Sequence, residues 1–506
     1  ITIISISCKK DVKKETVVKE NLIEETTKIK HPKAVAAVFK KHGGIDSWNK
    51  MTTLSLHPDR LLSTDTKVLD VARVLYQDIK DLPIISPHGH TDPSWFNENK
   101  NFENATDLLI KPDHYVFRML YSQGISLETL GILQHGEKGD LAASKQSDPE
   151  KIWQLFADNY FLFVGTPSGY WLDSTFANVF GFTEKLCSEN AMQYYTEINR
   201  QLATPEFTPN ALMDRFNIEL IATTEGALDT LPHHSAIKNT AMAPRVITSF
   251  RPDDVVDASR EDFVANVAKL GAMTSQDTST WDGYLQALRI RREYFKTEGR
   301  ATATDHGHPT ALTANLSADE CHALLSQILS GNSTAQEQEL FRAQMLTEMA
   351  GMSIEDGLVM QIHPGAHRNH NQYVFDHFGR DKGADIPSQT EYVNALKPLL
   401  SKHGNNPNLK IILFTLDETT YSRELAPLAG HYPSLKLGPA WWFHDSPAGM
   451  LRFRQQTTET AGFYNTVGFN DDTRAFLSIP ARHDVARRVD CRYLAELVVN
   501  HQISLE

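Results

Sequence analysis

Leu82-Pro83-Ile84-Ile85-Ser86-Pro87-His88-Gly89-His90, residues 82–90, packs a short apolar run and a polar exit into one stretch. The run reads as a buried strand, Leu82–Ser86, and the same pattern recurs along the chain. Further strands are expected at Glu219–Thr223, Arg245–Ser249, Leu358–Ile362, Lys410–Phe414, Leu435–Pro439 and Thr466–Phe469. Longer helical stretches separate them, the mark of βα units around a parallel sheet. An eighth strand is expected between residues 100 and 215, where Trp, Phe and Tyr at helical spacing otherwise indicate an inserted helical region.

A parallel barrel places its chemistry at the carboxyl ends of its strands. Almost every exit here is polar: His88-Gly89-His90, Glu225, Arg251-Pro252-Asp253, His363-Pro364-Gly365, Asp417-Glu418, Trp441 to Asp445 and Asp471-Asp472-Thr473-Arg474. Such a distribution favours one convergent site over unrelated loop residues.

With 506 residues, 41% hydrophobic and 22% charged, the chain is an ordinary globular protein, and its length suits one large α/β barrel with insertions or up to three domains. Fifty basic against 63 acidic side chains give a net charge of −13 spread along the chain, which argues against nucleic acid as a partner. No apolar run approaches the roughly 20 residues that span a bilayer, so no membrane partner is expected for the barrel. Cys8, Cys187, Cys321 and Cys491 lie far apart and form neither a disulfide framework nor a Cys-based zinc site, which fits a reducing, cytoplasmic compartment.

His88 and His90, at i and i+2 after a strand, project to one side and can share a cation. A carboxylate at the last strand's exit would complete a His-His-Asp set, and Asp472 is the candidate; Asp471 should point the other way along an extended chain. His363 is a candidate extra ligand or a substrate hydrogen-bond donor. His306-Gly307-His308 is a second HxH, but it follows Ala-Thr-Ala-Thr-Asp rather than a clear strand and is not expected to be a ligand pair. Arg251, Arg368 and Arg474 at strand exits suggest an anionic ligand, because a guanidinium matches a carboxylate. Trp441 and Trp442, with Phe443, suit an apolar wall against a sugar face.

Taken together, five ordered segments resemble the uronate (glucuronate) isomerase family: Ser86 to Phe96, Asp113-His114-Tyr115-Val116-Phe117-Arg118, Gln361 to Asn371, Trp441-Trp442-Phe443-His444-Asp445 and Asp472 to Ser478. The resemblance covers about residue 56 to the end. It implies the amidohydrolase superfamily and a distorted (β/α)8 TIM-type barrel over 56–506, with a helical insertion around 100–215. It also implies a homo-oligomer and a divalent metal, commonly zinc, with manganese as the other option. The implied reaction interconverts D-glucuronate with D-fructuronate and D-galacturonate with D-tagaturonate.

Carried over by position, the resemblance makes His88, His90 and Asp472 metal ligands and Arg251 and Arg474 the holders of the uronate carboxylate. His114 and Tyr115 match the pair at the sugar's reacting end, with Tyr115, helped by His114, handling the proton near C1 and C2. A phenol acting there as a base needs a lowered pKa. Asp472 accepts a hydroxyl proton, and Arg368, Trp441, Trp442 and His363 complete substrate binding. The chain departs from the family at Ile362-His363-Pro364-Gly365, Arg368-Asn369-His370-Asn371 and His444, which bears on substrate preference. The same barrel also supports a metal-dependent hydrolase with Asp472 as base.

Residues 1–55 have no counterpart in that family and read as a short N-terminal extension. Ile1 to Cys8 looks like the clipped end of a lipoprotein signal, with Ser5 where Leu is preferred, which would anchor the chain through Cys8. Residues 9–32 read as a solvated, mobile segment, and 33–56 as one helix. A sugar-acid binding protein of the envelope is the corresponding third reading.

Overall fold

The computed structural model describes residues 53–134 and 148–505; the expected extension, with Cys8 and all but the last few residues up to 55, lies outside the described residues. From Leu54 onward the chain forms one compact unit. Seven parallel strands pair in chain order: β1 (Ile84–Ser86), β2 (Ile218–Gly226), β3 (Val246–Arg251), β4 (Ala303–His306), β5 (Val359–Ile362), β8 (Ile411–Leu413) and β9 (Leu435–Leu437). The two remaining strands, β6 (Ala366–His367) and β7 (Ile386–Pro387), form a small antiparallel pair in the loop after β5. The register is continuous where β2 meets β3, from Ile221 opposite Val246 to Gly226 opposite Arg251.

Two expectations need correction. Thr466–Phe469 is not a strand: it touches the sheet at one bridge, Leu437 to Thr466, and through Val467 N–H donating to Leu437 carbonyl at 2.9 Å. The chain then runs irregularly to Thr473, whose carbonyl accepts from His90 N–H at 3.1 Å. This segment closes the gap between β9 and β1, so the barrel is completed by loop hydrogen bonds, and that is its distortion. Asp472, at φ 40°, lies in the left-handed region and prevents a regular ladder there.

The strand expected between 100 and 215 is absent among the described residues of that stretch. The additional strand is β4, which ends on His306, the first residue of His306-Gly307-His308. Its residues, Ala303, Thr304, Asp305 and His306, are all buried, yet none is a large aliphatic. A strand enclosed on both faces normally shows an apolar run, and here the polar site fills its end instead.

Between β1 and β2 the described residues form helices, among them Pro93–Glu98, His114–Tyr121, Pro149–Asp158, Pro167–Ser174 and Ala191–Leu202. They pack around Trp153, Phe156 and Phe176 in an apolar core shared with Ile84 of β1 and Ile221 of β2, in which the Trp153 indole donates to Ala191 carbonyl at 2.8 Å. The outer helices pack on the sheet through a second core that includes Phe250, Phe295 and Leu346. Ser317 with Glu320 and Thr334 with Glu337 form capping boxes that start helices Ala318–Leu329 and Ala335–Asp356. The C-terminal helix, Ile479–Val499, lies against Thr66–Ile79, where buried Arg488 bonds the Asp484 carboxylate and the Tyr76 hydroxyl. No helix among the described residues is long and apolar enough to cross a membrane.

Candidate functional site

A cavity of about 400 Å³ opens at the carboxyl ends of the strands, and nearly every expected site residue lines it: His88, His90, His114, Tyr115, Arg251, His363, Arg368, Trp441, Trp442, Asp472 and Arg474. Glu225 does not. In β2 the side chains alternate: Thr224 bonds Gly89 carbonyl, while Thr223 and Glu225 face the helix layer beside His234. Both Thr223 and Thr248 donate hydroxyls to the Glu225 carboxylate. Burial nevertheless pushes that carboxyl up to about 7.

A carboxyl raised in this way disfavours the folded chain as it ionises, so stability is lost as pH rises from the ordinary 4.5 through about 7. Glu225→Gln should remove this loss, so the variant gains about 3 kcal/mol on wild type between pH 5 and pH 8. Denaturant unfolding at the two pH values measures it, and a constant difference would refute the assignment. His234, pushed down to about 4 by burial, acts with the opposite sign but is common to both proteins.

His88 and His90 bring their Nε2 atoms to 3.4 and 3.2 Å from the same Asp472 oxygen, Oδ1. Tetrahedral bonds of about 2.0–2.2 Å to one ion require donor separations of roughly 3.3 Å, so the spacing fits a shared cation. The Asp472 Oδ1 atom is buried without a hydrogen bond, as a ligand oxygen would be. These three are the group among the described residues whose donor atoms converge closely enough to hold a metal ion. Burial acts to raise the Asp472 carboxyl, but the two imidazoles hold it well below the usual carboxylate range. Asp471 turns away as expected and accepts from His483 Nε2 at 2.9 Å.

His363 is not in that group. Its Nε2 bonds Asp305 Oδ1 at 2.6 Å, and its ring lines the cavity. Asp305 is fully buried, 3.9 Å from His88 Nδ1 and 3.3 Å from Arg251 Nη1. Against the effect of burial, His363, His88 and Arg251 keep its carboxyl ionised, well below the ordinary value. The sequence reading missed Asp305 because β4 was missed; with β4 in place its position at a strand end is evident.

Arg251 also donates from Nε to Asp253 Oδ2 at 2.8 Å. Gly307 is required beside this cluster: a Cβ there would lie 2.9 Å from Asp253 Oδ2, 3.0 Å from His363 Cε1 and nearer still to Arg251 Nη2. Gly307→Ala should therefore displace Arg251 and raise the KM for an anionic substrate about tenfold with the metal content unchanged. An unaltered KM would show that the guanidinium position is not critical.

Arg474 Nη1 donates to His114 Nε2 at 2.6 Å, and Arg474 Nη2 to Asp381 Oδ2 at 2.5 Å. Burial and the neighbouring guanidinium push His114 down to about 3, so it is a neutral acceptor that orients Arg474. The Tyr115 hydroxyl accepts from Phe443 N–H at 2.9 Å and donates to Asp445 Oδ1 at 3.3 Å. Burial, followed by the Asp445 charge, pushes that phenol well above its ordinary value. The neutral phenol is thus held between Phe443 N–H and Asp445, and action as a base would need the reverse shift. Asp445 in turn accepts from Arg482, whose guanidinium lies 3.6 Å over the Trp171 ring.

Arg368 bonds Asp385 at 2.7 Å and lies 5.4 Å over the Trp442 ring. Trp442 is half-buried and stacked on Phe443, whereas Trp441 is packed against His363 and Phe414 with its indole donating to Thr415 carbonyl. Trp441 is thus mainly a wall of the core. Asp381 and Arg482 escaped the sequence reading because neither follows a strand.

Residues 58–506 match the model of the glucuronate isomerase family. A uronate isomerase of Rhizorhabdus wittichii is 62% identical over 450 residues, covering 89% of this chain and 94% of that protein. Among solved structures, glucuronate isomerase from Caulobacter crescentus aligns with a TM-score of 0.86 at 59% identity, over 90% of this chain and 93% of that one. Uronate isomerase from Thermotoga maritima aligns with a TM-score of 0.81 at 28% identity, over 89% and 95%. With a family model spanning the whole barrel and relatives of this identity over nearly their full length, the chain belongs to the glucuronate isomerase family.

Proposed function

We propose that this enzyme is a uronate isomerase interconverting D-glucuronate with D-fructuronate and D-galacturonate with D-tagaturonate. The observation that carries the reading is the placement of Arg474 two residues from Asp472 in one cavity, an anion-binding fork beside a His-His-Asp set. The residues His88, His90 and Asp472 would hold a divalent metal, zinc or manganese, which when bound supplies Lewis-acid polarisation of a substrate oxygen.

Conversion of aldose to ketose takes a proton from C2 and returns one to C1 through an enediol. Arg251 and Arg474 hold the carboxylate and so fix the open chain against the reacting groups. His114, neutral, keeps the Arg474 fork in place. Asp472 relays the O1 hydroxyl proton to the ring oxygen as the ring opens and then the C2 proton to C1, while the neutral Tyr115 phenol donates a hydrogen bond to the enediol oxygen as charge develops there. Arg368 and Trp442 flank the sugar, while Trp441 and His363 form the wall behind it.

The hydrolase alternative on the same metal site is not favoured by family membership. A cytoplasmic homo-oligomer, in which 1–55 is a separate extension from the 56–506 barrel, completes the proposal; it rests on cysteine usage and the family alone. Incubating metal-loaded protein with D-glucuronate and D-galacturonate, followed by NMR, tests the function. Fructuronate or tagaturonate should appear; silence on both, with hydrolysis of generic lactones, would transfer the assignment to the hydrolase.

A further inference from the structure

Arg474 is already engaged by a carboxylate that belongs to the protein. Asp381 lies in the loop between β6 and β7, near the tip of the segment 379–385. That segment is fastened at its far end, where Asp385 bonds Arg368 and Asn369 N–H and where His370 N–H donates to Ala384 carbonyl. Gly383 sits against Phe117 and Arg118 of the helix that carries His114 and Tyr115. From this anchored base Asp381 reaches across the cavity mouth to Arg474, and its side chain stays 53% exposed. Its backbone tie is a long bond of 3.4 Å from Asp381 N–H to Asn369 Oδ1.

A carboxylate is recognised by two neighbouring N–H groups of a guanidinium. On Arg474, Nη1 is taken by His114 and Nη2 by Asp381. The two partners differ in kind. His114 is half-buried on a helix that frames the site, while Asp381 is an exposed anion on a loop. An incoming carboxylate can replace Asp381 charge for charge and leave Arg474 satisfied. A neutral sugar offers no group that does so.

We propose that Asp381 stands in for the substrate's carboxylate on Arg474 in the free enzyme and is displaced on binding, so that this loop selects anionic sugars over neutral ones. The inference rests on the uronate reading for the identity of the anion. It makes Asp381 a specificity-determining residue that competes with substrate rather than one that holds Arg474 in position.

The test compares wild type, Asp381→Asn and Asp381→Glu in the full chain, using L-gulonate as probe. L-gulonate is D-glucuronate with its carbonyl reduced, so it keeps the carboxylate and cannot react; sorbitol, which lacks the carboxylate, is the control. Calorimetric titration should show Asp381→Asn binding L-gulonate about three- to tenfold tighter than wild type, with Asp381→Glu close to wild type and sorbitol bound by none. The KM for D-glucuronate should fall by the same factor in Asp381→Asn. Unchanged or weaker L-gulonate binding would overturn the proposal and make Asp381 a positioning residue, with KM rising and kcat falling together. An equal gain for sorbitol would overturn it as well, because Asp381 would then only fill space. Failure of the wild-type enzyme to form ketose would refute the uronate isomerase reading, while the L-gulonate comparison would still decide the role of Asp381.

Discussion

Asp472→Asn should lower kcat by about 10²–10⁴-fold while the protein remains folded. Three observations set this expectation. The Asp472 Oδ1 atom is the point on which both imidazoles converge, so the amide removes the negative charge from the candidate metal set. An amide also cannot accept the substrate's hydroxyl proton. The backbone, in contrast, is untroubled: at φ 40° asparagine is among the residues that best tolerate the left-handed region, so the closing segment between β9 and β1 keeps its path. Metal analysis of the purified variant should show weaker retention, and circular dichroism an unchanged spectrum. Wild-type turnover in the variant would remove Asp472 from the chemistry.

The second large effect is on stability. Arg482→Met should destabilise the fold by about 3–5 kcal/mol, the cost of leaving one member of a buried ion pair alone. Arg482 is 2% exposed on the C-terminal helix and bonds Asp445 Oδ2 at 3.0 Å, Ser478 Oγ at 2.9 Å and Asp471 carbonyl at 3.4 Å. Burial already pushes the Asp445 carboxyl up, and Arg482 opposes it. Without the guanidinium, the Asp445 carboxylate, which also accepts from the Tyr115 hydroxyl, would be left buried without its counter-charge. Denaturant unfolding measures the loss. A second substitution, Asp445→Leu, should restore part of it, because the uncompensated charge is gone. A loss below about 1 kcal/mol in Arg482→Met would contradict the buried-pair account.

The chain order alone carried much of this protein. Alternating strand and helix patterns, short apolar runs and polar exits specify a parallel sheet with its chemistry at one end, because side-chain periodicity and the handedness of βα units leave few alternatives. His88 and His90 were legible for the same reason, since a residue just past a strand has a fixed direction, whereas Asp472 was picked out as the exit of an expected last strand that is an irregular closing segment. The family resemblance added His114 and Tyr115, which spacing did not single out. What only the tertiary structure decided are the groups whose state depends on neighbours remote in sequence. β4 was hidden because buried polar residues replace its apolar run. Burial and the Asp445 charge hold the Tyr115 phenol neutral, and His363 pairs with Asp305, which comes from a different strand. Asp381 meets Arg474 across 93 positions of sequence, a contact that no local pattern encodes. Ionisation and pairing are set by desolvation and by charges a few ångströms away, and folding alone determines which charges those are.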